Sequence, residues 1–136
     1  MSLARITARF IGQPYQLGLV DCFSAVLNYI EEMGYTIPPD FEGQTRTSYA
    51  ALFADHPAEA KALMVRFIDS LLPEVQPAFA FAGDILLLRL GDSLPFLAID
   101  GGNGTIIAAS ESRGVGLSSL RKYTVMRAWR CRRQSL

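Results

Sequence analysis

Four short apolar runs in the second half of the chain constrain the fold more than any other feature. They are "ILLLRL" at 85–90, "FLAID" at 96–100, "TIIAAS" at 105–110 and "YTVMRAW" at 123–129. Each is the length of a strand and is separated from the next by turn-forming residues. Between the second and third runs, "DGGNGT" from Asp100 to Thr105 offers Gly and Asn where a tight connection demands positive φ. That stretch predicts an antiparallel hairpin.

The first half carries a different period. After Asp21, a good N-cap, Phe23, Val26, Leu27, Ile30 and Met33 recur at helical spacing until Gly34 supplies a stop. Cys22 therefore falls in the first turn of a helix. "YTIPPDFEGQTRTS" reads as a loop, with a short helix near Tyr49 to Ala54 ended by His56 and Pro57. A further amphipathic helix from about Ala58 to Leu72 places Ala60, Met64, Phe67, Ile68 and Leu71 on one face, and Pro73 closes it. Helices followed by strands, with no repeat or low-complexity linker, predict the α+β class.

Composition agrees with a packed domain. The chain has 136 residues, half of them hydrophobic and 19% charged, so a single domain over 1–136 can bury its own core. Formal charge is zero, but Arg121, Lys122, Arg127, Arg130, Arg132 and Arg133 crowd the end. A short basic end of this kind is expected to be solvated, and no nucleic-acid motif accompanies it. Cys22 and Cys131 lie far apart without a CxxC pair or clustered histidines, so the expectation is no disulfide framework, no metal and no cofactor. No apolar run approaches the ~20 residues of a membrane helix, and the N-terminus lacks a secretory core. The expected location is the cytoplasm, with no membrane partner.

The stretch that bears on chemistry is "GQPYQLGLVDCFSAV". It is similar to the P-Y-x-x-G-x-x-D-C-S-x-x-V segment of the NlpC-type superfamily of papain-like cell-wall peptidases. "AGDILLL" is similar to that family's P-G-D-L-V-F-F, "FLAIDGGNGTIIAAS" to its H-V-G-I-Y-x-G-N-G-x-x-I-H-A-S hairpin, and "GVGLSSLRKY" to its closing G-V-x-x-x-x-L-x-x-Y. The "TRTSYAAL" and "RAWR" stretches further resemble small NlpC-like proteins of phages and prophages.

The resemblance implies a papain-like NlpC-type fold, with N-terminal helices packed on an antiparallel sheet and a cysteine at the start of one helix. It places Cys22 at the nucleophile position, Asp21 just before it, and Tyr15 at an aromatic position lining the site. The family's histidine base aligns with Phe96 and its orienting residue with Ala108, so both partners of the triad are replaced. A thiol of ordinary pKa needs a base or a cation beside it, and Phe96 offers neither. If the alignment holds, Phe96 points toward Cys22.

His56, the one histidine, reads as a loop residue near a helix start, not a displaced base. Asp92, Ser93, Ser110 and Glu111 flank the expected cleft and read as turn residues, and Asp84 as a local turn-shaping acceptor. Two functions follow as expectations. One is a degenerate scaffold of phage or prophage origin, incorporated in a phage particle, that binds a cell-wall peptide or a phage structural protein through the cleft at Cys22. The other is a cysteine hydrolase or acyltransferase acting on peptidoglycan peptide or a related amide with an unconventional base.

Overall fold

A computed structural model describes residues 22–110 and 114–134. Helix α1 spans Cys22–Glu32, α2 Arg46–Asp55 and α3 Pro57–Leu71. Six strands follow: β1 Glu74–Val75, β2 Ile85–Arg89, β3 Phe96–Gly102, β4 Thr105–Ser110, β5 Gly114–Ser119 and β6 Thr124–Trp129. They form one antiparallel sheet in the order β1-β6-β2-β3-β4-β5. The α+β class and the antiparallel pairing expected from the apolar runs are both present.

The α1 face read from the sequence is the buried one. Phe23, Val26, Leu27, Ile30 and Met33 join one core with Ile85, Leu87, Leu97, Ile99 and Ile107 of the sheet. Burying each of these larger side chains contributes on the order of 2 kcal/mol. The helix ends where Gly34 takes φ +97°, a conformation that a Cβ would strain. Helix α2 starts three residues earlier than the apolar spacing indicates, because Thr45 and Ser48 form a reciprocal capping box. Pro57 opens α3, and its Ala60, Met64, Phe67 and Ile68 enter the same core. Phe67 meets Phe23 and Phe41 edge-on at 5.7 and 4.8 Å.

Alternation along the strands sends the other residues to a second cluster on the far face: Leu86, Leu88, Ala98, Ile106 and Ala128. The hairpin has the form that "DGGNGT" demands. Gly102 pairs with Thr105, leaving Asn103 and Gly104 as a two-residue loop with φ of 55° and 75°. Both positive φ values fit the mirror-image turn that matches strand twist. Two short strands escape the sequence reading. β1 is only two residues long, and β5, "GVGLSS", has glycines where an alternating strand would show side chains.

Candidate functional site

Cys22 is the first residue of α1, as its place behind Asp21 predicts. Tyr15, Asp21, the Cys22 side chain, the Ser110 side chain and Glu111 lie outside the described residues. The remaining candidates, Phe96 and Ala108, are brought together. Both pack on the far-face cluster, and both line one open groove of about 490 Å³ between the β2–β3 connection, β4, β5 and the turn at 120–122. Phe96 meets the Tyr123 ring edge-on at 5.2 Å and 76°. Both rings, together with the small Ala108 and Gly116, line the groove.

The expectation that Phe96 faces Cys22 is not met. Its strand neighbours Leu97 and Ile99 are the residues turned into the α1 core, while Phe96 packs with Ala98 and Ile106 on the opposite face. Alternation fixes which residues share a face, and here the helix lies on the odd-numbered side of β3. Residue 96 therefore occupies the groove on the other side of the sheet from the helix body.

The described lining of the groove holds Ser93, Ser118, Lys122 and Tyr123 as its polar groups, and no carboxylate or histidine. His56 lies at the α2–α3 junction, exposed, and makes no side-chain capping bond. Asp92 is exposed on the loop between β2 and β3, where the Ser93 N–H donates to the Leu90 carbonyl and closes a turn. Lys122 and Tyr123 were not singled out as site residues in the sequence. The signal was the "GVGLSSLRKY" stretch, which supplies both.

Asp84 does more than shape a turn. Its carboxylate is fully buried and accepts from the Phe81 N–H at 3.0 Å, the Cys131 N–H at 3.2 Å and Arg130 Nε at 3.1 Å. Beside it, the Tyr29 hydroxyl donates to the Gly83 carbonyl at 2.8 Å. Gly83 sits at φ +99°, and a Cβ there would stand 3.2 Å from the Tyr29 oxygen. The Gly83–Asp84 pair thus ties α1, the start of β2 and the residues after β6 into one corner. Burial pushes the Tyr29 phenol up, and it pushes the Cys131 thiol up to about 12, with the Asp84 carboxylate adding to the effect.

The basic end is engaged with the rest of the chain more than a solvated tail would be. Arg127 bridges Asp69 and Glu74, both at 2.6 Å, and holds the Glu74 carboxyl below its usual value through that hydrogen bond. Arg130 pairs with Asp84, and both Arg130 and Arg132 lie over the Phe81 ring. No group of three or more metal-binding side chains occurs among the described residues, and no described helix is long and apolar enough to cross a membrane.

A family model described as a domain of unknown function, DUF6950, matches residues 1–131. The chain belongs to that family. Among solved structures, this DUF6950 chain is similar to the NlpC/p60 domain of the peptidoglycan hydrolase SagA, with a TM-score of 0.62. The match covers 94% of this chain and 95% of that one at 19% identity. It shows that the DUF6950 domain has an NlpC/p60-like fold, as the quoted motifs imply. A search of curated proteins finds no match.

Proposed function

We propose that this chain is a degenerate NlpC-like domain that binds, without cleaving, a cell-wall fragment or a partner protein. The observation that carries this reading is the groove itself. Phe96 points away from α1, so the alignment with the family's base is off by one residue. The residues facing the helix side there are Leu97 and Ala109, as apolar as the Phe96 and Ala108 that floor the groove against Tyr123. A ring and a methyl group can bind ligand surface but cannot move a proton. The same proposal takes Cys22, Asp21 and Tyr15 as remnants of an inherited site. It also takes from the "TRTSYAAL" and "RAWR" stretches an origin in a phage or prophage, with a cytoplasmic product that enters the particle.

The position of Cys22 favours one alternative, a cysteine hydrolase or acyltransferase with an unconventional base. A thiol at a helix start is helped toward the thiolate by the helix dipole. One experiment separates the two. The chain and its Cys22→Ala variant are incubated with a purified disaccharide tetrapeptide from peptidoglycan, with mass spectrometry for products and calorimetry for binding. The binding reading expects intact ligand with both proteins and equal affinity for them. Peptide release by the parent chain, lost in Cys22→Ala, overturns it in favour of the enzyme.

A further inference from the structure

The two edges of the sheet are not equivalent. β1 closes one side with only two residues, one of them Glu74, and Pro77 follows shortly after. Short length, charge and proline are the devices that keep a strand edge from pairing with other chains. β5 closes the other side with six residues, all six paired to β4, and no described strand lies beyond it. Its sequence, "GVGLSS", contains no charge and no proline. Two of the six large apolar side chains left exposed among the described residues, Leu90 (52%) and Leu94 (45%), line the groove beside this edge, whereas Leu117, paired with Ile107, projects to the α1 side.

From this juxtaposition we infer that the groove and the β5 edge together bind an extended peptide of a partner protein by strand addition, one carrying alternating apolar side chains and a carboxylate. The inference rests on the binding reading above and names the chemistry of its ligand. Strand addition supplies main-chain hydrogen bonds at an edge, and a pocket beside the edge receives every second side chain. Gly114, Gly116 and Ala108 leave the sheet surface low where those side chains enter. The carboxylate follows from charge: Lys122 is exposed at the groove, and no acidic side chain is among its described lining residues. A second copy of this chain fits less well. Antiparallel two-fold pairing through β5 would bring only Gly114, Gly116 and Ser118 over the groove, too little to fill it.

The test uses the full chain and three end-blocked synthetic heptapeptides, with fluorescence anisotropy as the readout. The first is Glu-Val-Thr-Leu-Thr-Val-Glu, which presents the same pattern in either strand direction. The second has Lys in place of both Glu, and the third is the first peptide N-methylated at alternate residues. The Glu peptide is expected to bind at least about five-fold more tightly than the Lys peptide at low salt, with the gap closing as salt rises. Lys122→Glu should reverse the preference, and N-methylation should weaken binding at least about ten-fold. Gly116→Val should fold, because a Cβ there meets nothing within 4 Å, and should abolish binding by raising the groove floor. Equal binding of the Glu and Lys peptides, no binding of any, or a stable dimer closed through β5 overturns the inference. If the disaccharide tetrapeptide binds and Gly116→Val blocks it while all three peptides fail, the binding reading stands and only the strand-addition inference falls.

Discussion

At the scale of single residues, the most consequential side chain outside the groove is Asp84. A carboxylate removed from water is tolerated when it is paired and hydrogen-bonded, and Asp84 has Arg130 and two backbone N–H groups. Asp84→Ala leaves those donors unmatched and should cost about 3 kcal/mol, read from urea unfolding with an unchanged slope. Asp84→Asn, which keeps an acceptor in place, should cost less. The thiol beside it gives a pH signature. Cys131 keeps its proton in the folded chain up to about 12, against 9.0 as its ordinary value. Between those pH values the folded state binds more protons than the unfolded one, so stability falls as pH rises through that window. The buried Tyr29 phenol acts in the same direction above its own ordinary value of 10.0. Urea midpoints at pH 8 and pH 10.5 should show the decline, and Cys131→Ala should make it shallower. In a Cys22→Ala background, iodoacetamide at pH 8 should leave Cys131 unmodified until urea is added.

At the scale of elements, the residues that set geometry through local chemistry were the legible ones. Asn103–Gly104 between two apolar runs specifies a turn type, and the observed φ values are those the turn requires. Gly104→Ala places a Cβ at φ 75° and should destabilise the chain by about 1 kcal/mol in thermal unfolding, although open space surrounds the position. Helices α1 and α3 were legible because four or more apolar residues repeat on one face of each. β5 was not, because Gly114 and Gly116 remove the alternation that marks a strand, and its pairing with β4 is a long-range choice. Which face of β3 meets α1 was also not legible. The pattern "FLAID" assigns Phe96 and Ala98 to one side and Leu97 and Ile99 to the other, but both sides are apolar. Only the packing of the helix on Leu97 and Ile99 breaks that tie. Of the candidate site residues, Phe96 and Ala108 share a groove on the face away from α1, while Tyr15, Asp21 and the Cys22 side chain lie outside the described residues.

At the scale of the molecule, one tryptophan reports on whether helices and sheet unfold together. Trp129 is fully buried at the end of β6, opposite Ile85 of β2 and Glu74 of β1. Its indole N–H donates to Asp69 of α3 at 2.9 Å, and the Arg127 guanidinium lies over its ring while bridging Asp69 and Glu74. The ring therefore touches the helical layer and the sheet at once, and it shares the α1 core with Phe23, Leu27 and Ile30. If helices and sheet share that core as one cooperative unit, Trp129 cannot reach water while α1 and α3 stay docked. Fluorescence of Trp129 and far-UV circular dichroism should then give coincident urea transitions. Asp84→Ala, which frees Arg130 and Cys131 just after Trp129, should shift both midpoints by the same amount. Separate transitions, with fluorescence changing before helical signal is lost, would show that the α1 core does not bind the two layers into one unit. Asp69→Ala sharpens the test, because it removes the indole's acceptor and one partner of Arg127 without touching α1. It should lower both midpoints together, by about 1 to 2 kcal/mol for the partly buried donor left unmatched.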